Sequence, residues 1–178
     1  MICLSTVDDE EKDKDKKQIK TDCDFIIQFD WDVKDKFIQA ITEKNNVYYY
    51  SIENDGIFEA DEENIKQTDF AKITCKFNYT IQGAYQGAID PNFITAVSKA
   101  NSKCLLAFGN NDGKMNLCNY PCISESVKSK KYSGHSGRIK VIHWNTNDSM
   151  LISIAENDRA IICWSLEDKE LPIKKHYH

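Results

Sequence analysis

The sequence predicts an all-β protein made of short antiparallel strands, and three observations carry that prediction. From Asp22 onward, apolar residues alternate with polar ones at a period of two, in runs rich in Ile, Val, Tyr, Phe and Thr. No helix-length window carries an apolar stripe at helical spacing. Most gaps between the runs are short, which suits hairpins and not parallel crossovers. The predicted strands are 24–31, 36–41, 46–52, 69–77, 93–98, 104–109, 114–120, 138–144, 150–155 and 159–165.

Composition limits the classes of protein that fit the chain. Its 178 residues and 41% apolar content suffice for one packed domain. The net charge of −5 argues against a nucleic-acid partner. No apolar stretch is long enough to span a bilayer, and residues 1–7 are too short for a signal-peptide core. We therefore expect a cytoplasmic protein with no membrane partner, whose seven irregularly spaced cysteines are reduced.

The N-terminal segment, residues 1–21, differs from the rest of the chain. From Asp8 to Lys20 it reads DDEEKDKDKKQIK, with a single apolar residue. Such a stretch buries too little surface to offset the entropy of ordering, so we expect a charged, mobile segment. An ionic docking tail is the alternative.

Internal repeats decide the architecture. Each unit runs from an apolar strand through a polar turn and a second apolar strand to an aliphatic-aromatic strand. The units are 29–52, 97–120 and 142–166. Tyr50, Cys118 and Trp164 then take equivalent places, and the last two are 46 residues apart, which is the period of propeller blades. The first gap is longer, at 68 residues, and the extra length lies in 53–92.

The third unit resembles a WD repeat. In WD repeats a Gly-His pair precedes the innermost strand, an Asp lies between the second and third strands, and a Trp closes the third. Here Gly134-His135, Asp158 and Trp164 fit that pattern, which implies a structural network in which the carboxylate accepts from the His ring. The pattern also uses a Ser or Thr four residues before the Asp. Ile154 holds that place, and we expect Ser153 to face the other side of the sheet.

The other two units keep less of the pattern. Lys44 stands where the first unit would need its Asp, and the middle unit keeps Asp112 but has Cys118 for the Trp. We predict a partial WD-repeat β-propeller of about three four-stranded antiparallel blades, within a domain at 22–178. The expected blades are about 22–77, 93–133 and 138–178.

Three blades cannot close a propeller, which needs about four to eight. The open blade faces therefore need a partner, a longer chain or self-association to cover them. Two copies could form a six-bladed ring, although the uneven repeats favour docking into a larger assembly or a fragment of a longer chain.

Catalytic and metal readings have little support. A His-Asp pair with a nearby Ser is nominally triad material, but no GxSxG motif occurs. Cys118-x3-Cys122 has no paired CxxC, and the other candidate ligands fall on separate strands. The stretch GNNDGK at 109–114 indicates a hairpin turn and not a phosphate loop. We expect no catalytic residues, no metal and no cofactor. The candidate metal ligands set aside here, besides Cys118 and Cys122, are Cys104, His135 and His143.

Four segments in order resemble the C-terminal blades of the echinoderm microtubule-associated protein-like family. They are NYPC (119–122), KYSGHSGRIKVIHW (131–144), NDSMLIS (147–153) and DRAIICW (158–164). The resemblance extends over roughly 22–168. Tyr85 stands where the family has a Trp, and the family's N-terminal region and further blades are not visible in this sequence.

The resemblance implies a non-enzymatic scaffold of the microtubule or axonemal cytoskeleton, with tubulin or neighbouring microtubule proteins as partners. Because tubulin is acidic, the basic residues between 128 and 140 are the candidate partner-binding residues. They are Lys128, Lys130, Lys131, Arg138 and Lys140. The alternative is a WD-repeat adaptor subunit of an unrelated multiprotein complex, since propellers host many functions.

Overall fold

A computed structural model describes residues 2–4, 17–19, 24–53, 56–60, 62–66, 68–85, 93–102, 104–124 and 127–166. Its strands are β1 (Ile2–Leu4), β2 (Lys17–Ile19), β3 (Ile26–Trp31), β4 (Phe37–Thr42), β5 (Val47–Glu53), β6 (Gly56–Glu59), β7 (Ile94–Lys99), β8 (Leu105–Asn110), β9 (Lys114–Asn119), β10 (Lys130–Ser133), β11 (Ile139–Trp144), β12 (Met150–Ala155) and β13 (Ile161–Ser165). The helical elements are α1 (Glu62–Lys66) and a 3₁₀ helix (Tyr79–Tyr85).

The strands form three antiparallel sheets in chain order and one small hairpin. Sheet 1 is β3-β4-β5-β6, and sheet 2 is β7-β8-β9 with β10 at its edge. Sheet 3 is β11-β12-β13, with three strands among the described residues, and β1 pairs with β2. The all-β, partial-propeller fold predicted from the sequence is confirmed.

All three sheets share one strand register. The first strand of each sheet begins with an isoleucine, Ile26, Ile94 or Ile139, and a β-bulge follows it at once. Beyond the bulge, the second and third strands pair in the same order in every sheet. Tyr50, Cys118 and Trp164 pair with Ile38, Leu106 and Leu151, which are themselves equivalent, so the predicted equivalence of these three positions is confirmed.

Sheets 2 and 3 pack directly against each other. One face of sheet 2 carries small and medium apolar side chains, among them Ala96, Ala107 and Leu117, and it buries Ile142 and Leu151 of sheet 3. Gly109 leaves room for this contact, because a Cβ on it would lie 2.5 Å from Ile139 Cγ2. The close approach of the two sheets therefore depends on a residue without a side chain.

The segment 62–85 lies between sheets 1 and 2. Its Phe70, Ile73 and Ile81 are fully buried against the other face of sheet 2. On the side of sheet 1, the buried carboxylate of Asp30 accepts hydrogen bonds from the backbone N–H groups of Thr74 (2.9 Å) and Cys75 (2.9 Å). The extra length between the first and second units therefore fills a wedge between two sheets.

One expectation about strands was wrong. Residues 69–77 form no strand. Only Phe70 makes an isolated bridge, with Asp32, and farther along the Asp30 carboxylate, not a neighbouring strand, takes the N–H groups of Thr74 and Cys75. Within the segment expected to be mobile, Lys17–Ile19 forms β2 and pairs with Ile2–Leu4. The remaining residues of 5–23 lie outside the described part of the chain.

Candidate functional site: the blade network and the basic residues

The turn before β11 is held by His135. Its ring is buried, and Nδ1 lies 2.5 Å from Asp158 Oδ2 in the turn between β12 and β13. The Ser136 N–H also donates to that carboxylate oxygen, at 3.3 Å. Gly134 is needed next to His135, since a Cβ there would lie 2.9 Å from the Trp164 ring.

Ser153 joins His135 to Trp164, and the expectation that it faces away was wrong. Its hydroxyl lies 2.7 Å from His135 Nε2 and accepts from Trp164 Nε1 at 2.8 Å. Along β12 the odd-numbered residues are buried, whereas Ile154 is exposed. Counting back four residues from Asp158 failed because Ser153 lies five positions before it, and the turn between them contains the left-handed residue Asn157 (φ 62°).

The four side chains form a directed chain of hydrogen bonds. A carboxylate only accepts, so Nδ1 of His135 donates to Asp158. Nε2 can then accept from the Ser153 hydroxyl, whose oxygen in turn accepts from the Trp164 indole. The hydrogen bond from His135 holds the pKa of Asp158 below its usual value. The network thus ties two turns to the strands β12 and β13.

In sheet 1 an ion pair takes the place of this network, and the turn carries the positive charge. Lys44, at the position equivalent to Asp158, lies 2.6 Å from the buried carboxylate of Asp24 just before β3. Asn46 donates to the same carboxylate at 2.8 Å. Pairing lowers the pKa of Asp24 and raises that of Lys44. Sheet 1 therefore has a cation in the turn and an anion before the inner strand, whereas sheet 3 has an anion in the turn and a histidine before the inner strand.

Among the described residues of sheet 2, the hairpin turn 110–114 is held neither by a histidine network nor by an ion pair. Asn110 accepts from the backbone N–H groups of Asp112 (3.1 Å) and Lys114 (2.9 Å), and Gly113 adopts a φ of 74°. Cys118, in the place of the Trp, is buried. Its contact with Cys122 and its burial raise the pKa of the Cys118 thiol. Across the described residues, no group of three or more His, Cys, Asp or Glu side chains is arranged to hold a metal ion.

Asp148 joins sheet 3 to sheet 2 and was not among the residues expected to form the blade network. Its fully buried carboxylate accepts from the N–H groups of Asn101 (2.8 Å) and Ser102 (2.6 Å), and from both side chains. Nearby, Trp144 Nε1 donates to the Ser98 carbonyl at 3.0 Å. The sequence signal that could have identified Asp148 is an Asp four residues after a Trp, which occurs in both the first and the third units.

The structure divides the candidate partner-binding residues between two places. Lys128 is exposed just before the outer strand β10, and Lys131 is exposed on it. Lys130 instead lines a cleft of about 440 Å³ between sheets 2 and 3. Arg138 and Lys140 lie at the start of the inner strand β11, where Lys140 pairs with Glu156 at 3.0 Å. The five residues therefore do not form one continuous patch.

Sheets that repeat one register and bury their faces against each other define a set of β-propeller blades. A family model described as the echinoderm microtubule-associated protein second beta-propeller matches residues 2–166. The chain belongs to the echinoderm microtubule-associated protein family. Within the described residues, no helix is long and apolar enough to cross a membrane.

Curated relatives agree with this assignment. The chain is 28% identical over 152 residues to echinoderm microtubule-associated protein-like 4 of Mus musculus, covering 85% of this chain and 15% of that protein. It is 29% identical over 140 residues to echinoderm microtubule-associated protein-like 1 of Rattus norvegicus, covering 79% and 17%. The chain thus spans about a sixth of the length of these relatives.

A solved structure supports the fold alone. The crystal structure of the computationally designed Ika4 protein aligns with a TM-score of 0.54 at 12% sequence identity, covering 84% of this chain and 96% of that chain.

Proposed function

We propose that this chain is a non-enzymatic WD-repeat scaffold of the microtubule or axonemal cytoskeleton, in the cytoplasm, with tubulin or neighbouring microtubule proteins as its partners. The observation that carries the proposal is the family match over 2–166, together with relatives that are named microtubule-associated. In a chain of net charge −5, binding to an acidic surface requires local basic residues.

Lys128 and Lys131 are the residues best placed for that contact. Both are exposed, on and just before the outer strand of sheet 2. Arg138 and Lys140 are also exposed, but they are a weaker pair because Lys140 already has Glu156 as a partner. Lys130 lines the cleft together with Tyr132, so we expect it to contribute least to the contact with the acidic surface.

Co-sedimentation with microtubules tests the proposal. We expect the wild-type chain to pellet with microtubules, and Lys128→Glu with Lys131→Glu to weaken pelleting about tenfold, at about 0.7 kcal/mol for each exposed charge. Lys34→Glu with Lys36→Glu is the matched control, because it reverses two exposed charges on a turn of sheet 1.

The outcomes separate the site from the function. Equal weakening by both double variants would remove Lys128 and Lys131 from the site and leave net charge as the cause. A wild-type chain that stays in the supernatant at low salt would overturn microtubule binding by this chain and favour an adaptor of another complex.

A further inference from the structure

One face of sheet 3 is apolar and open to solvent. It points away from sheet 2, and we call it the open face. Its aliphatic side chains are all exposed, from 39% for Ile152 to 68% for Ile161. They are Val141, Met150, Ile152, Ile154 and Ile161.

The shared strand register shows what kind of surface this is. The positions in sheet 2 that are equivalent to the open face are buried against sheet 3. They are Ala96, Leu105, Ala107, Gly109 and Met115. The open face therefore repeats a surface that, one sheet earlier, receives a further sheet.

The contact that covers sheet 2 is centred on the inner strand β11. Ile142 inserts its side chain into the apolar cluster and is only 3% exposed. Two polar contacts flank it: Trp144 donates to a carbonyl of β7, and Asp148 caps the turn that follows β7. A sheet that covers the open face needs an apolar residue, an indole and a carboxylate at these three positions.

Sheet 1 carries that set on its own inner strand. Phe29, Trp31 and Asp35 occupy the positions of Ile142, Trp144 and Asp148. Phe29 is 57% exposed, and Asp35 is exposed with a φ of 56°, matching the 55° of Asp148. Farther from the inner strand the same face of sheet 1 is already buried, so the available contact is centred on β3 and its turn.

We propose that two copies of this chain associate head to tail, with β3 of each copy lying on the open face of the other. The carboxylate of Asp35 would then cap the turn that contains Thr146 and Asn147, as Asp148 caps the turn in sheet 2. The Trp31 indole would donate to the His143 carbonyl, as Trp144 donates to Ser98. Two such contacts bring together six sheets, which lies within the range of closed propellers.

The uneven repeats are no obstacle to this closure. They differ in the length of their connections, and the extra residues lie in the segment 62–85 between sheets 1 and 2. The strand pairs that would form the new contact are matched residue for residue in sheets 1, 2 and 3. The inference goes beyond the proposed function and does not depend on microtubule binding.

Light scattering on the full 178-residue chain tests the proposal. We expect a single species of twice 20.5 kDa at micromolar concentration. Phe29→Lys and Ile152→Lys should each raise the dimer dissociation constant at least a hundredfold, because closure places the new charge in both contacts. Ile123→Lys is the matched control, since Ile123 is an exposed isoleucine that lies on neither face, and it should remain dimeric.

Each alternative outcome is decisive. Because the changed side chains are exposed, circular dichroism should show native folds for all three variants. A monomeric wild type would overturn the proposal, and so would an open-ended series of larger species. A dimer broken by Ile152→Lys but not by Phe29→Lys would mean that two open faces meet each other, which also contradicts the head-to-tail contact.

Discussion

Ser153→Ala should destabilise the chain far more than the loss of one hydroxyl group suggests. The Ser153 side chain is fully buried and joins His135 Nε2, at 2.7 Å, to Trp164 Nε1, at 2.8 Å. Alanine fills nearly the same space but can neither donate nor accept. The variant therefore strands an indole N–H and an imidazole nitrogen where water cannot readily reach them.

The magnitude follows from these two stranded groups. A buried donor left without an acceptor costs about 1–3 kcal/mol, and the imidazole nitrogen adds a hydrogen bond of about 1 kcal/mol. We expect the free energy of unfolding to fall by about 2–4 kcal/mol. For a chain of this size, each 1 kcal/mol lowers Tm by about 2–4 °C, so the expected fall in Tm is about 4–16 °C.

Urea unfolding, followed by tryptophan fluorescence at one fixed protein concentration, measures the effect. Ser165→Ala is the matched control, because Ser165 lies exposed on the last strand of the same sheet, and it should change stability by less than about 0.5 kcal/mol. A double-mutant cycle with Trp164→Phe should give a coupling energy of about 1 kcal/mol or more. Equal effects of Ser153→Ala and Ser165→Ala, or a coupling near zero, would refute the reasoning.

Two further predictions concern the packing of sheets 2 and 3 and the ion pair of sheet 1. Gly109→Ala should cost about 1–3 kcal/mol through overpacking, since its Cβ would lie 2.5 Å from Ile139 Cγ2. In urea unfolding, the double variant Gly109→Ala with Ile139→Ala should lose less stability than the sum of the losses in the two single variants. Strictly additive losses would contradict the contact between these two residues. Pairing with Lys44 lowers the pKa of Asp24, so this stability is present above its ordinary value of 3.8 and is lost as pH falls through the lowered pKa. The stability gap between wild type and Lys44→Gln should therefore be widest near neutral pH and narrow on acidification, and a gap that is constant with pH would count against the pair.

The sequence predicted the sheets better than it predicted the side-chain contacts between them. Alternation of apolar and polar residues is a local signal, so β12 and its neighbours could be located to within a residue or two. The run 69–77 has the same alternation, but the carboxylate of Asp30, far away in the chain, takes the backbone N–H groups of Thr74 and Cys75. The short strand β10 reads KKYS and lacks the apolar content that marks a strand in sequence.

The blade network shows the same limit. His135, Asp158 and Trp164 could be singled out by residue type and order, but the place of Ser153 depends on how the turn before β13 is built. No local pattern reports that two residues of that turn are left-handed. Likewise, Lys44 could be recognised as a departure, while its partner Asp24 lies 20 residues earlier and becomes visible only in three dimensions.

The bulge that follows the first isoleucine of every sheet has a consequence for how such a chain can change. Because the bulge fixes which residues of the inner strand face each neighbour, the register of a sheet is set within its own strands. The connections between sheets are then free to lengthen, as the segment 62–85 has done, without turning any side chain to the wrong face. A grafted loop or a small inserted domain should be best tolerated between sheets, while a single residue added within a strand would reverse a whole face.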